Sequence, residues 1–481
     1  MDLYMKNRIV LVWIALVLLA GCKTAMKTLE PEPYVHDKYI APSYQQSLDT
    51  ANVANVHWRD FFNDRYLNAL IDTALQNNLD LKITLQDIEI AKNRILYRQG
   101  LLKPTVVGGG TLGLEKVGRY TSQGAGDASA DITPGKRVPE LLGDFYIGAR
   151  ASWELDAWKK LRNGKKAAIA KYMATQEGKN FVITNMIAEI ANSYYELLSL
   201  DNTLDIIHQT ITLQKNALEI VKVQKDAAVV TELAVKKFEA DVLNTQSLEY
   251  DILQKITEAE NRINFILGRF AQPVPRDKSA FNNPIPAQIK AGIPSQLLAN
   301  RPDIKQAEAE LFATECDVKA AKAEFYPSFN ISGALGFQAF NPVYLVRLPE
   351  SILTSIVADA VAPLVNRSAI QSEYNTAKAV QVQAMYDYQL RILRAYVEVS
   401  NELSNLNNLT QYYEIKSRQA ETLNQSISIA NDLFKSGRAD YLEVLLSQRD
   451  VLDTRLELVE AKKKQFLAMT DLYKALGGGW K

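Results

Sequence analysis

Reactive side chains are scarce in this chain of 481 residues. It contains two cysteines and three histidines, and its 55 basic residues balance its 55 acidic ones. A neutral chain offers no net field for nucleic acid or an anionic surface. The histidines His36, His57 and His208 lack the spacing of metal ligands, and the sequence has no glycine-rich phosphate loop and no nucleophile motif. These absences argue against nucleic-acid binding, an enzyme, a bound metal and a cofactor.

The N-terminus carries an export signal. Lys6 and Arg8 lead into the apolar run Ile9–Leu19, which is shorter than the about 20 residues of a transmembrane helix. The run ends in Leu-Ala-Gly-Cys, which resembles the bacterial lipobox and predicts a signal peptide over residues 1–21 and a lipid such as palmitate on Cys22. The alternative is an ordinary signal that happens to precede a cysteine. Because Lys23 replaces the aspartate that retains lipoproteins at the inner membrane, we expect an outer-membrane address.

Once Cys22 carries the lipid, Cys316 is the one cysteine that keeps a free thiol. An exported chain without an intramolecular disulfide must be stabilised by packing or assembly. Cys316 falls in the helical stretch Glu308–Glu324. We expect it to be a small buried apolar residue rather than a nucleophile.

The sequence contains an internal repeat. Six residues recur at a constant offset of 223: Leu75, Asn77, Asp80, Lys82, Pro104 and Gly113 match Leu298, Asn300, Asp303, Lys305, Pro327 and Gly336. Further on, Tyr194 and Glu196 match Tyr396 and Glu398 at an offset of 202, and Gly268 matches Gly478 at 210. The fall from 223 to 202 predicts an insertion in the first half, within the loop Glu115–Gly143. The rise from 202 to 210 predicts that the second helical hairpin is longer than the first by that difference.

Each half predicts a medium helix (near Leu67–Leu102 in the first), two short strands, a very long helix, a turn and a return helix. We divide the chain into a lipid-anchored extended segment (22–60), a first repeat (61–272), a linker (273–294) and a second repeat (295–481). The linker holds five prolines and cannot be a helix or a central strand. The boundary between the halves is predicted near residue 285.

Heptad stripes mark the long helices. Ile183, Ile190, Leu197, Leu204, Ile211 and Leu218 recur every seven residues, as do Ile392, Val399, Leu406, Tyr413, Ala420, Ile427 and Phe434. A helix over 165–225 would be ~90 Å long, and its stripe predicts supercoiling against neighbours. We predict that this helix is one wall element of a water-lined tube, with a neighbouring helix on each side. The prediction rests on a second stripe (Ile206, Leu213, Ile220) and on the polar residues Asn192, Asp201, Asn202, His208 and Gln209. A solid bundle or a coiled-coil rod remains the alternative.

Four segments have the length of tilted membrane-spanning strands, about 10 residues. They are Thr105–Leu114, Phe145–Leu155, Ser328–Gln338 and Ile352–Val365, the last with poor alternation. Alternation alone equally fits a half-buried strand of a soluble sheet, and the lipobox is the feature that favours membrane-spanning strands. Four strands cannot close a membrane barrel, because the smallest have about 8. Several chains must therefore share one barrel.

The chain resembles the TolC-type outer-membrane factors, specifically the lipid-anchored, NodT-like efflux branch. The resemblance rests on Trp58-x-x-Phe61-x-x-Asp64-x-x-Leu67, Asn300-Arg301-Pro302-Asp303-Ile304, Phe325-Tyr326-Pro327, Trp153-Glu154-Leu155-Asp156 and the terminal Leu472–Trp480. It implies a mixed, mainly α fold in which a homotrimer forms a 12-stranded transmembrane barrel and a long α-helical periplasmic barrel. It also implies passive small-molecule efflux through the outer membrane, with a periplasmic adaptor (a membrane fusion protein) and an inner-membrane transporter such as an RND pump as partners.

The resemblance places a constriction at the helix–turn–helix tips, Lys225–Glu232 and Lys435–Glu443. Similar ducts carry Leu, then Asp four residues on, then Arg three further, which land on Leu442, Leu446 and Arg449. Leu446 replaces the acid, so the gate is either a hydrophobic seal or a negative ring supplied by Asp440 and Glu443. Asp440 could instead cap the return helix, and Arg449 could pair with a neighbouring helix.

Two other functions remain open at this point. The same fold could serve as the duct of a type I protein secretion system, although the lipobox and the Gly-Gly-Gly-Trp ending favour efflux. A lipid-anchored coiled-coil scaffold that conducts nothing is the alternative from another class.

Overall fold

The computed structural model describes residues 51–284, 290–365 and 367–481. Its α-helices are α1 (Trp58–Phe62), α2 (Arg65–Asn77), α3 (Leu79–Gly100), α4 (Ser122–Ser129), α5 (Lys160–Asp226), α6 (Glu232–Ile266), α7 (Gln296–Asn300), α8 (Pro302–Ala323), α9 (Ser368–Lys435) and α10 (Tyr441–Ala475). Its strands are β1 (Thr105–Glu115), β2 (Asp131–Thr133), β3 (Lys136–Arg137), β4 (Leu142–Leu155), β5 (Ser328–Ala339) and β6 (Ile352–Val361). Within these ranges no helix combines the length and apolar character needed to cross a membrane.

The internal repeat is confirmed in the medium helices and first strands. Helices α3 and α8 both have 22 residues and begin at Leu79 and Pro302, which is the offset of 223. Strands β1 and β5 begin at Thr105 and Ser328, again 223 apart. The predicted boundary near residue 285 lies outside the described residues.

The predicted difference between the two helical hairpins is wrong. Helices α5 and α9 have 67 and 68 residues, and α6 and α10 both have 35, so the two hairpins are almost equal in length. The first residues of α6 and α10, Glu232 and Tyr441, are 209 apart. The predicted pairing of Tyr194 with Tyr396 is therefore one heptad out of step. A stripe that recurs every seven residues looks the same after such a slip, so heptads alone do not fix the alignment.

Each return helix docks on the start of its own repeat in the same way. After α6, Gly268 has a φ of +66°, and a Cβ there would lie 2.7 Å from the Asn77 carbonyl oxygen. After α10, Gly477 has a φ of +88°, and its Cβ would lie 2.6 Å from the Asn300 carbonyl oxygen. Only glycine tolerates this conformation and this close approach. The structural partner of Gly268 is thus Gly477, not Gly478 as predicted.

Next to these glycines, one side chain ties the ends of each repeat together. Asn78 donates to the Ile266 carbonyl oxygen (2.8 Å), and Arg301, at the offset of 223 from Asn78, donates to the Ala475 carbonyl oxygen (2.9 Å). Asn78 also accepts from the Leu81 amide and so caps α3. This cap splits the predicted medium helix (67–102) into α2 and α3, because the tertiary bond to Ile266 holds Asn78 outside helical geometry.

Three apolar clusters form the core of the part of the chain that the structure describes. The largest surrounds the junctions just described and includes the fully buried Leu67, Ile190, Leu197 and Leu472. The second lies at the hairpin tips and the third lies between the first two, around Ile207. Both heptad stripes contribute to the first two clusters, with Ile190, Leu197, Val399 and Leu406 in the largest and Leu218 and Phe434 at the tips. The coiled-coil prediction is therefore confirmed.

Two segments differ from expectation. The predicted loop 115–143 contains helix α4 and the hairpin β2–β3, because the Thr121 hydroxyl caps α4 by accepting from the Gly124 amide (3.1 Å). The β1–β4 connection (116–141) exceeds the β5–β6 connection (340–351) by 14, so the predicted insertion of 21 is too long. Helix α1 begins inside the segment predicted as extended (22–60), and the rest of that segment up to residue 50 lies outside the described residues.

Candidate functional site

Strands β1, β4, β5 and β6 form one antiparallel sheet in that order. The inner strands β4 and β5 come from different repeats, and their register places Ile147 opposite Phe337 and Trp153 opposite Ile331. All four strands begin where predicted or within three residues of it. Strand β6 stops at Val361 rather than Val365, because Pro363 has no amide proton for a ladder.

The register sorts the sheet into two faces of opposite character. One face is almost wholly apolar: Val106, Gly108, Gly110, Leu112 and Leu114 (β1); Phe145, Ile147, Ala149, Ala151, Trp153 and Leu155 (β4); Phe329, Ile331, Gly333, Leu335 and Phe337 (β5); Ile352, Thr354, Ile356, Ala358 and Ala360 (β6). The opposite face carries every charged residue of these strands, namely Glu115, Asp144, Arg150, Glu154 and Asp359. Leu112 (83% exposed) and Ile356 (88%) are not covered by the protomer itself. An uncovered apolar face of this extent requires a lipid or protein neighbour.

The sheet ends in two edges, β1 and β6. Each neighbouring pair is antiparallel, so the two edge strands run in opposite directions. Edge strands expose backbone groups that another chain can bond. Strand β6 of one copy can therefore extend the antiparallel sheet through β1 of another.

The long helices form two hairpins, α5–α6 and α9–α10. At 1.5 Å per residue, α5 is about 100 Å long. The second stripe is uncovered at Leu213 and Ile220, which fits a contact with another chain. The polar residues predicted to form a water-lined face are partly used within the protomer. Buried Asp201 binds Arg276 of the linker (2.5 Å), and Asn192 donates to Asp471 of α10 (3.1 Å).

The turn of the second hairpin presents the predicted gate residues on a free surface. Leu442 and Leu446 are 51% and 52% exposed, and the Arg449 side chain is 74% exposed. At spacings of four and three they form one stripe along α10. Glu443 lies in the first turn and is exposed. Between these residues, Val444 turns inward into the apolar cluster at the hairpin tips.

The alternative roles can be compared with the observed contacts. Asp440 is exposed at the N-cap position of α10, but its side chain makes no capping hydrogen bond. Arg449 pairs loosely with Asp453 of its own helix (3.8 Å). It also acts on Asp241 of α6, whose carboxylate accepts from the Gln214 amide (2.7 Å). Burial raises the pKa of Asp241, whereas the Arg449 charge and the Gln214 hydrogen bond lower it. No sequence pattern pointed to this polar contact between α10 and α6.

The described residues contain no group of three or more His, Cys, Asp or Glu side chains that could hold a metal ion. Cys316 is buried in α8, as expected of a packing residue, and burial raises the pKa of its thiol. Cys22 lies outside the described residues.

Known proteins share both the sequence pattern and the architecture of this chain. The sequence model of the family described as outer membrane efflux protein matches residues 70–269 and 293–478. The chain belongs to the outer membrane efflux protein family. It is 25% identical over 468 residues to the cation efflux system protein CusC of Escherichia coli K12, covering 96% of this chain and 97% of CusC. It is 24% identical over 468 residues to SilC of Salmonella typhimurium, a probable outer membrane lipoprotein, with the same coverage.

The fold agrees with solved members of the family. The structure of the outer-membrane channel OprN matches with a TM-score of 0.83 at 23% identity, over 94% of this chain and 98% of that one. The fold is therefore TolC-like, as the sequence motifs implied. The protein is an outer-membrane component of an efflux system, and its long hairpins form a large periplasmic part.

Proposed function

We propose that three copies of this chain assemble into one passive duct through the outer membrane. The observation that carries the proposal is the four-stranded sheet, with one apolar face and two antiparallel edges. In lipid every backbone group needs a partner, so the edges must close on other copies. The resemblance to TolC-type factors supplies the number three. Twelve strands spaced ~4.8 Å apart and tilted by ~40° make a barrel about 24 Å across.

The duct itself does no chemistry in this proposal. An inner-membrane transporter, such as an RND pump, supplies the energy, and a periplasmic adaptor joins it to the hairpin tips. The relatives are named for different cargoes, cations for CusC and toluene for TtgI of Pseudomonas putida. One fold that serves such different solutes supports a duct whose cargo is chosen mainly by the pump. We propose small molecules as the exported class.

The N-terminal cysteine completes the membrane attachment in this proposal. We propose that Cys22 carries the lipid and that the mature chain starts there. Labelled palmitate should enter the wild-type protein and be absent from Cys22→Ala. Incorporation that is equal in both proteins would remove Cys22 as the lipidation site.

We place the resting gate at the turn of the second hairpin. Three copies of Leu442 and Leu446 would meet as an apolar constriction, which closes a pore by excluding water. Arg449 lies one turn farther from the tip than Leu446, and Asp440 and Glu443 supply negative charge within one turn of Leu442. The exposure of both leucines in the single protomer supports this role, since a leucine that only packed the hairpin would be covered.

Conductance of the purified protein in a planar bilayer tests both the duct and the gate. Wild type should conduct with rare or small openings, and the double variant Leu442→Ser/Leu446→Ser should open more often or more widely. The matched control is Leu79→Ser/Ile83→Ser in α3, away from both tips, where two side chains with the same spacing of four are also exposed (63% and 61%) and conductance should stay at the wild-type level. Wild-type conductance in the Leu442/Leu446 variant would contradict the gate. An absence of conductance in all three proteins would contradict the duct.

A further inference from the structure

The face opposite the apolar one, which we call the polar face, carries one basic side chain. Among the strand residues of that face, Arg150 of β4 is the single basic residue, whereas four are acidic. Glu115 and Asp144 lie at the end that joins the β1–β4 connection. Glu154 and Asp359 lie at the end that joins the long helices, and both face β5 across the sheet. Arg150 therefore forms a positive layer between two negative ones.

Three of the four acids have partners within the chain that hold them close to the sheet. Glu154 pairs with Lys160 (2.7 Å), and Asp144 accepts from the Gln338 amide (2.7 Å). Asp359 accepts from Asn330 (3.2 Å). Glu154 is paired with an opposite charge, which offsets its field, whereas Asp144 and Asp359 accept from neutral amides and keep their negative charge.

Arg150 is held by an aromatic ring instead. Its guanidinium lies 4.6 Å from the centre of the Tyr146 ring, a cation–π contact that leaves the positive charge in place. Tyr146 is buried because it lies flat over the facing pair Gly148 and Gly336. A Cβ on Gly148 would lie 2.7 Å from the Tyr146 hydroxyl oxygen, and one on Gly336 would lie 3.0 Å from its ring. The absence of side chains at these two glycines thus leaves the space that the Tyr146 ring fills.

We propose that Arg150 is a charge-selective residue of the barrel lumen, which favours anionic solutes over cationic ones halfway through the sheet. This inference rests on the proposed duct, because the polar face becomes a lumen only when copies close the barrel. In a barrel about 24 Å across, the axis is about 12 Å from the wall. This is close to the Debye length of about 10 Å at 0.1 M salt, so three such charges reach most of the lumen.

The first experiment tests which face of the sheet is exposed to water. Single cysteines are placed at Arg150 and at its neighbour Ala149, on the opposite face, in a chain that also carries Cys316→Ser. The protein is reconstituted in lipid nanodiscs and treated with charged, membrane-impermeant methanethiosulfonates. Arg150→Cys should react at least tenfold faster than Ala149→Cys. Equal rates would overturn the face assignment and with it the proposed duct.

The second experiment tests the charge itself. The probe is Ser152→Cys, two residues from Arg150 on the same face and exposed. Its rates with an anionic and a cationic reagent give a ratio that reports the local potential. A unit charge about 7 Å away changes this ratio by about threefold at 0.1 M salt and by less than about 1.3-fold at 1 M. Adding Arg150→Gln should lower the anion-to-cation ratio by that amount at 0.1 M only.

Two controls make the result specific to Arg150. Arg137→Gln removes an exposed arginine of β3, outside this sheet, and should leave the ratio unchanged. Tyr146→Phe keeps the ring and should also leave it unchanged, whereas Tyr146→Leu should lower the ratio partway towards that of Arg150→Gln. If Arg150→Gln leaves the ratio unchanged while position 150 still labels faster than 149, the charge-selective role is refuted and the duct stands.

Discussion

Replacing Arg301 by methionine should destabilise the protein more than replacing any exposed arginine. Arg301 is buried and donates to Asp303 (2.7 Å), Glu398 (2.7 Å) and the Ala475 carbonyl oxygen (2.9 Å). Methionine fills a similar volume without a charge or a donor. Asp303, which is also buried, then keeps its charge without its partner.

The magnitude follows from burial. Breaking a buried ion pair by removing one partner costs about 3–5 kcal/mol. Asp303 lies in the first turn of α8, where the helix dipole offsets up to about 1 kcal/mol, so we expect the lower end of that range. A chain of this length unfolds with an entropy of about 1 kcal/mol per degree, so the midpoint should fall by about 3 °C.

Thermal unfolding of the detergent-solubilised protein, followed by circular dichroism, measures this shift. The matched control is Arg262→Met, since Arg262 also bonds one glutamate of a long helix (Glu196, 3.1 Å) but is 58% exposed. Exposed pairs contribute less than about 1 kcal/mol, so its midpoint should fall by less than about 1 °C. Adding Asp303→Asn to Arg301→Met should recover part of the loss. Equal shifts for the two arginine variants would refute the reasoning.

Two further predictions concern the gate and the hairpin base. Burial raises the pKa of Asp241, so the native protein binds its proton more tightly than the unfolded chain, and the ionised carboxylate costs stability above the native pKa. Asp241→Asn should therefore raise the unfolding midpoint at pH 7 but not below about pH 3, where the carboxyl is neutral in both the folded and the unfolded chain; the same gain at both pH values would contradict this account. Gly437 has a φ of +68° and open space for a Cβ, so Gly437→Ala should lower the free energy of unfolding by about 1–2 kcal/mol. Gly477→Ala should lower it clearly more, because the added Cβ would clash with Asn300. Thermal midpoints in the reverse order would contradict the docking geometry.

Periodicity predicted the elements well. The strands, both long helices and both tips lie where the sequence places them, because alternation and heptads are local signals that survive tertiary packing. The tip of the second hairpin, predicted at 435–443, is the turn between α9 and α10. The residues predicted to form the gate, Leu442, Leu446 and Arg449, are exposed in the protomer, which is compatible with that prediction.

Contacts between distant elements were beyond reach of the sequence. The break at Asn78 depends on a bond to Ile266, which is 188 residues away. Arg301 belonged to a recognised motif, yet only the structure shows that it joins Asp303, Glu398 and the end of α10. The heptad slip has a different cause, since a strictly periodic signal carries no information about which period is which.

Cross-linking between the edge strands tests the central claim, that three copies close one duct. Variants of the chain carry Val107→Cys in β1 together with Ser355→Cys, Val357→Cys or Asp359→Cys in β6, all on the polar face. In outer membranes treated with an oxidant, at least one pair should form disulfides between copies, and denaturing gels should show bands for one, two and three chains and nothing larger. A ladder that continues past three, or no cross-link with any pair while each cysteine is accessible, would contradict the closed trimer.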